Sequence, residues 1–275
     1  MDLVAAPDRI NDAPDDLRLW RNAQQEVVNP TMPGDVQIFD LPPQGGCPGG
    51  LIFTTATVTG LLVVYFHGGG FNVGSPKTHR FVAVRIAHFT HAEVISVRHR
   101  LAPELPFPTQ VEDVVSAARR QLGGHPRLRP MGDSAGGMVT LWGFVGLALT
   151  YRAAVSDVVL FYLGVITIPR PATVSEDEAD GLGPNSLESY ERCLDPLDVI
   201  AGNPPYDPDA RDFAMPAAIM ILGAGADPLP YTAGALANRS GTRLIVAEGQ
   251  DHGFLPNLPA PRAMTGLQQA QLATP

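Results

Sequence analysis

A serine between two glycines is the first group in this sequence that could carry out covalent chemistry. Ser134 lies in the pentapeptide GDSAG, with Gly132 and Gly136 on either side, directly before a long apolar run of helical character. A sharp strand-to-helix turn of the G-x-S-x-G type needs small residues at these two positions and presents the serine hydroxyl at its tip. The N-terminus of the following helix favours a developing negative charge. The alternative is a plain glycine-rich turn. Whether Ser134 is a nucleophile therefore depends on whether the rest of the sequence supplies a base, an acid and an oxyanion site.

A serine hydroxyl attacks a carbonyl carbon efficiently only when a base removes its proton. Among the seven histidines, His252 is the best candidate, because it follows a late strand-like run, TRLIVAEG. An acid must fix the tautomer of that imidazole and stabilise its protonated form. Asp227 ends the preceding strand-like run, and it is favoured over Asp251 because a neighbour along the backbone rarely reaches Nδ1. The sequence therefore predicts a triad in the chain order Ser134, Asp227, His252.

A tetrahedral intermediate also needs N–H donors for its oxyanion. The motif HGGGF follows the apolar run LLVVY, and three successive glycines are more than a plain turn requires. Gly68 and Gly69 are the expected donors, together with the N–H of Ala135 directly after the nucleophile. His67 in the same motif is expected to be a structural hydrogen-bonding residue rather than a second base.

The elements that must position these groups alternate along the chain from about residue 35. Buried strands are predicted in GLLVVYFHGGG, AEVISVRHR, GGHPRLRPMGDS, SDVVLFYLGV, PAAIMILGAGAD and TRLIVAEGQD. Helices are predicted in KTHRFVAVRIAHF, VEDVVSAARRQL, AGGMVTLWGFVGLALTYR and PRAMTGLQQAQLA, with a short helix between the last two strands. Apolar strands separated by helices predict a mostly parallel sheet covered on both faces, with ligands at the carboxyl ends of its strands.

Two segments fit this alternation poorly. Residues 1–34 contain an amphipathic pattern after Pro14, and residues 171–212 are polar, acidic and rich in proline. Each is either a surface insertion or part of a lid over the active site.

Composition excludes several classes of function. The 275 residues are 45% hydrophobic and 17% charged, with a net charge of −9 and no cluster of Lys and Arg, so nucleic acids and anionic membranes are not expected partners. No apolar run approaches the roughly 20 residues that cross a bilayer.

Cys47 and Cys193 are interpreted as free thiols rather than one bridge. With an acidic N-terminus that is no signal peptide, a cytoplasmic protein is expected. His88 and His91 have no further ligands nearby, so no metal site is predicted.

Together, the motifs resemble the hormone-sensitive-lipase family of α/β-hydrolases in its GDSAG branch. They are HGGGF (67–71), RLAPELPFP (100–108), GDSAGG (132–137), DPL (227–229) and DHGF (251–254), in family order. The resemblance implies an α/β-hydrolase fold with a mostly parallel eight-stranded sheet, helices on both faces and a small helical cap. It also implies ester hydrolysis without a cofactor, and a homodimer through the last strand and helix. Residues 1–34 and an insertion at about 171–212 would form the cap, and 35–275 the catalytic domain.

The expected function is hydrolysis of short- to medium-chain carboxylic esters by a serine carboxylesterase. Trp20, Phe71 and Leu182 are candidates for the acyl pocket, although an apolar residue is more often part of the core. The family pattern is broken at Arg98 and His99 before RLAPE and at Tyr231 and Thr232 after DPL, which affects pocket shape rather than reaction type. Hydrolysis of a lactone, an aryl formamide or an N-acetyl group remains an alternative. A non-catalytic ligand receptor on the same fold is a further alternative, which the presence of His252 disfavours.

Overall fold

The computed structural model describes residues 33–167, 182–203 and 205–255, which form a sheet flanked by helices. The strands are β1 (Gln37–Leu41), β2 (Gly50–Thr54), β3 (Leu61–Phe66), β4 (Glu93–Val97), β5 (Arg127–Asp133), β6 (Val158–Phe161), β7 (Ile219–Ala224) and β8 (Arg243–Ala247). The helices are α1 (Arg80–Thr90), α2 (Thr109–Gln121), α3 (Ala135–Gly146), α4 (Leu149–Arg152), α5 (Pro184–Leu194) and α6 (Pro230–Ser240).

The described strands form one eight-stranded sheet in the order β1-β2-β4-β3-β5-β6-β7-β8. β1 pairs antiparallel with β2, and β2 pairs antiparallel with β4, whereas every pairing from β4 through β8 is parallel. The predicted α/β-hydrolase sheet with helices on both faces is therefore confirmed. The carboxyl ends of β5, β7 and β8 lie along one edge of the sheet, as the positions of the three candidate catalytic residues require.

Two apolar cores lie on the two faces of the sheet, and β3 contributes to both. Leu62, Val64 and Phe66 pack into the core shared with α2, α3, α5 and α6. The alternate residues of β3 pack into the core shared with α1. Successive side chains of a strand point to opposite faces, so a fully apolar strand is buried on both sides. This double burial holds the strand ends, and the loops that follow them, in fixed positions.

Two elements differ from the predictions made from the apolar pattern. The helix predicted through AGGMVTLWGFVGLALTYR is interrupted, because Leu147 is extended with φ −68° and ψ 136°. Arg152 donates from Nε to the Leu147 carbonyl at 2.9 Å, which satisfies an acceptor at the interruption. The strand predicted through SDVVLFYLGV ends at Phe161, since Tyr162 has φ 34°. By contrast, α5 is a helix within the segment 171–212, for which the family resemblance implied part of a helical cap.

Some predictions fall outside the described residues. They include the helix after Pro14, Trp20, part of the segment 171–212 and the helix PRAMTGLQQAQLA. In the parts of the chain that are described, no helix combines the length and the apolar character needed to cross a bilayer.

Candidate active site

Ser134 occupies a strained turn between β5 and α3. Its backbone has φ 50° and ψ −123°, a region that residues with a side chain rarely adopt. The Ser134 N–H donates to the carbonyl of Phe161 at 2.9 Å, which fixes the turn against β6. A Cβ at Gly132 would lie 2.1 Å from the Gly136 carbonyl oxygen, and one at Gly136 would lie 2.1 Å from that of Phe66. Both glycines are therefore required by backbone packing.

The structure brings Ser134, His252 and Asp227 into one hydrogen-bonded row. His252 Nε2 lies 2.8 Å from Ser134 Oγ, and His252 Nδ1 lies 2.8 Å from Asp227 Oδ2. The other oxygen of Asp227 accepts the Leu229 N–H at 2.8 Å, so both oxygens of this buried carboxylate have a partner. Asp251, the rival acid, is exposed. With Nδ1 as the donor to Asp227, Nε2 is free to accept the serine proton.

The glycine loop after β3 offers different N–H groups from those expected. The Gly68 N–H donates to Asp133 Oδ1 at 3.0 Å within the protein, so it is already used and the expectation for Gly68 is corrected. The N–H groups of Gly69, Gly70 and Ala135 have no acceptor in the described part of the chain. Ala135 is the first residue of α3, where an N–H has no partner within the helix. Gly70 and Ala135 also line the same cavity as Ser134.

The buried carboxylate of Asp133, next to the nucleophile, accepts hydrogen bonds from several groups around the site. Asp133 Oδ1 accepts the Tyr65 hydroxyl at 2.5 Å as well as the Gly68 N–H, and Oδ2 accepts the Tyr162 hydroxyl at 3.3 Å. His79 Nε2 lies 3.8 Å from Oδ2. Burial first, and then the charge of Asp133, raises the pKa of both tyrosines well above the ordinary value. Both hydroxyls therefore stay protonated and remain donors.

His67 lies in a stack of three imidazoles behind the glycine loop. Its ring centroid is 4.1 Å from that of His99 and 5.2 Å from that of His79. His67 Nδ1 lies 2.9 Å from the Gly68 carbonyl oxygen. Burial, as the largest cause, lowers the pKa of His67 well below its ordinary value and also lowers that of His99. Both rings are thus neutral at pH 7, which fits a structural role for His67.

A cavity opens beside Ser134, and its free space, including the part open to solvent, is about 490 Å³. The sequence candidates Phe71 and Leu182 both line it, while Trp20 lies outside the described residues. Thr232, one of the departures from the family pattern, also lines the cavity, and its hydroxyl lies 2.5 Å from the Leu163 carbonyl oxygen. Three residues of α5 also line the cavity: Leu187, Tyr190 and Glu191.

Several residues of this site were not singled out by sequence reasoning. Asp133 carried a usable signal, since it is an acidic residue at the end of a buried strand, next to the nucleophile. Tyr65 and Tyr162 carried none, because each lies in an apolar run and meets Asp133 only through sheet pairing. The segment of α5 was predicted as a surface insertion or a lid, but its polar composition did not indicate which α5 side chains line the cavity.

Comparison with known proteins gives matches over most of the chain. A family model described as alpha/beta hydrolase fold matches residues 63–256. Carboxylesterase NlhH of Mycobacterium tuberculosis is 44% identical over 86 residues, which cover 29% of this chain and 27% of NlhH, so the chain spans little more than a quarter of that relative. Carboxylic ester hydrolase LipN of the same organism is 27% identical over 273 residues, covering 88% of this chain and 72% of LipN. The structure of an esterase from Pyrobaculum calidifontis has a TM-score of 0.78 at 24% identity and covers 94% of both chains.

Proposed function

Since this chain belongs to the alpha/beta hydrolase fold family, we propose that it is a serine carboxylesterase that hydrolyses short- to medium-chain carboxylic esters. The observation that carries the proposal is the row Asp227–His252–Ser134, with both contacts at 2.8 Å, next to a cavity. The names of these two relatives, carboxylesterase and carboxylic ester hydrolase, support the same reaction.

The reaction begins when Ser134 Oγ attacks the ester carbonyl carbon and His252 Nε2 takes the hydroxyl proton. Asp227 stabilises the imidazolium through Nδ1–H. The carbonyl oxygen becomes an oxyanion, which accepts hydrogen bonds from the N–H groups of Gly69, Gly70 and Ala135. Each such donor contributes roughly 3 kcal/mol to the stabilisation of the transition state.

The tetrahedral intermediate collapses when His252 gives the proton to the alkoxy oxygen of the leaving group, the bond from that oxygen to the carbonyl carbon breaks, the carbonyl re-forms and the alcohol leaves. An acyl ester of Ser134 remains. Water then attacks this ester with His252 as the base, and the acid leaves with Ser134 restored. These steps transfer only protons and an acyl group, so we propose that the enzyme needs no cofactor.

The same proposal covers the organisation of the chain. Residues 1–34 and the insertion at about 171–212 would form a cap, which is supported by the three α5 residues that line the cavity. A homodimer would use the last strand and helix, since β8 is the last strand of the sheet order. We also propose that the protein is located in the cytoplasm. Sedimentation velocity of the full chain tests the dimer, which a monomer at micromolar concentration contradicts.

A p-nitrophenyl ester series from acetate to dodecanoate tests the proposed reaction, with Ser134→Ala as the matched variant. We expect activity that is highest on the short chains and is lost in Ser134→Ala, because the acyl-enzyme cannot form. Activity that survives in this variant would show that the nucleophile is a different residue. A folded wild type with no activity on any ester would favour a lactone or amide substrate. Tight binding of a ligand without turnover would favour a receptor.

A further inference from the structure

Tyr162 has an unusual backbone conformation directly after β6. Its φ is 34°, in the left-handed region where a bulky side chain is uncommon, and it is only 2% exposed. The Tyr162 N–H donates to the carbonyl of Leu222 in β7 at 2.7 Å. Backbone strain of this kind costs of order 1–3 kcal/mol and persists only where the surroundings enforce it. The contacts of the side chain indicate what the conformation achieves.

The ring of Tyr162 packs against the loop that bears the candidate base. Its centroid lies 5.0 Å from that of His252 and 5.3 Å from that of Phe254, with interplanar angles of 62° and 63°. These are edge-to-face contacts, which aromatic rings favour over face-to-face stacking. The two partners flank Gly253, which has φ 76° and no side chain to pack. Tyr162 thus restricts the His252 imidazole on a side where Asp227 and Ser134 do not hold it.

The hydroxyl of Tyr162 contacts the carboxylate that supports the glycine loop. It donates to Asp133 Oδ2 at 3.3 Å, and Oδ1 of the same carboxylate accepts the Gly68 N–H at 3.0 Å. One side chain therefore contacts the base through its ring and the support of the glycine loop through its hydroxyl. These are the two parts that must keep a fixed distance from Ser134 during acyl transfer.

We propose that Tyr162 is a positioning residue for the proposed ester hydrolysis, and the inference rests on that proposed function. Tyr162 holds the His252 ring at hydrogen-bond distance from Ser134 Oγ and couples it to the Asp133 carboxylate that anchors the glycine loop. It touches neither the ester nor the reacting atoms. Its loss should lower kcat and leave KM nearly unchanged, because the cavity walls stay in place while the base becomes less ordered.

Three variants separate the two contacts. Tyr162→Phe keeps the ring and removes the hydroxyl, and Tyr162→Leu removes both. Tyr206→Phe is the matched control, because it removes a tyrosine hydroxyl, while the described ring contact of Tyr206 is with Phe107 rather than with Asp133 or His252. Thermal unfolding of each variant shows whether it is folded. If Tyr162→Leu does not fold, Tyr162→Phe decides, since it conserves the ring that fills the core.

The main measurement is the rate at which a fluorophosphonate labels Ser134, followed by mass spectrometry. In this step the Oγ–phosphorus bond forms, the phosphorus–fluorine bond breaks, fluoride leaves and His252 takes the hydroxyl proton. Misplacement of a reacting group can cost up to about 100-fold, so we expect labelling roughly 100-fold slower in Tyr162→Leu and about three- to tenfold slower in Tyr162→Phe. Tyr206→Phe should stay within about threefold of the wild type.

Steady-state kinetics on p-nitrophenyl acetate complete the test. A fall in kcat with KM within about twofold of the wild type supports positioning. Folded Tyr162 variants that label at the wild-type rate would overturn it, and so would an equal loss in Tyr206→Phe. A wild type whose Ser134 does not label at all would overturn the proposed function as well. Labelling without ester turnover would instead contradict only the choice of substrate, and the positioning test would still be decided by the labelling rates.

Discussion

Two helices of similar length meet at the candidate active site, and they differ greatly in burial. α3, which begins directly after Ser134, is buried at ten consecutive residues, Ala135–Phe144. α5, which lines the cavity, is buried only at Cys193 and Leu194. α3 has apolar neighbours on all sides, whereas α5 places Leu187 and Tyr190 at the cavity and charged residues such as Glu188 in solvent.

This difference in burial assigns separate roles to the two helices. The reaction depends on α3, and the choice of substrate depends on α5. The nucleophile and the Ala135 N–H depend on a helix that cannot shift without disturbing the core. The substrate side depends on a helix with few core contacts, so substitutions there alter the cavity at a small cost in stability. We expect variation on the α3 side to change whether the reaction occurs, and variation on the α5 side to change which ester reacts.

The largest effect on activity is expected at Asp227, a buried residue of the candidate triad. Asp227→Asn removes the carboxylate that fixes the His252 tautomer, so kcat should fall by about 10⁴-fold, as in other serine triads. Asp251→Asn is the matched control, because this carboxylate is exposed and adjacent in sequence to the same histidine. It should retain wild-type activity. Kinetics on p-nitrophenyl acetate measure both, and equal losses in the two variants would mean that the acid has been assigned wrongly.

The same substitution placed in each helix tests the comparison directly. Leu141→Ala in α3 removes a fully buried side chain and should lower the free energy of unfolding by about 2–5 kcal/mol. Leu187→Ala in α5 should lower it by less than about 1 kcal/mol, because the side chain is only partly buried. It should reduce kcat/KM on octanoate relative to acetate by about five- to tenfold, since a longer acyl chain loses an apolar contact.

Urea unfolding and the p-nitrophenyl series measure the two quantities. Equal losses of stability in Leu141→Ala and Leu187→Ala would contradict the proposed division between the helices. An unchanged ratio of octanoate to acetate activity in Leu187→Ala would show that this part of the cavity does not receive the acyl chain.

An effect of about the same size as that of Leu187→Ala is expected where the two regions touch, at Gly70. A Cβ there would lie 2.9 Å from the ring of Tyr190 in α5. Gly70→Ala should therefore displace the loop that offers the Gly69 and Gly70 N–H groups and lower kcat/KM by roughly tenfold. The double variant Gly70→Ala/Tyr190→Ala removes the clash and should recover activity to within about threefold of Tyr190→Ala alone.

That recovery distinguishes contact with α5 from backbone strain, because Gly70 has φ 56° and an alanine there is strained in either background. If the double variant is as impaired as Gly70→Ala, the strain at Gly70 is the cause and α5 does not constrain the loop.

The sequence predicted the parts of the site that follow from local residue types. The glycines around Ser134, the order of the three candidate catalytic residues and the apolar strands before them all carry a physical signal that survives without tertiary contacts. The parallel sheet followed from the same pattern. β1 and β2 were implied only by family resemblance, because no single apolar run pointed to them.

The remaining features depend on contacts between distant parts of the chain. Three identical glycines follow β3, and only the bond from Gly68 to Asp133, 65 residues away, shows which N–H is used. The interruption at Leu147 lies within an uninterrupted apolar pattern, so periodicity could not locate it. Tyr162 lies within an apolar run, and its role depends on contacts with Asp133 and His252.

The conformation of Ser134 has a consequence for selection. Its φ of 50° and ψ of −123° are unfavourable for any residue except glycine, so part of the stability of the fold is given up at the residue that performs the reaction. A glycine at this position would relieve the strain and abolish the nucleophile together. Selection of this protein for thermal stability alone would therefore favour inactive variants at position 134, and only selection that also demands turnover would retain the serine.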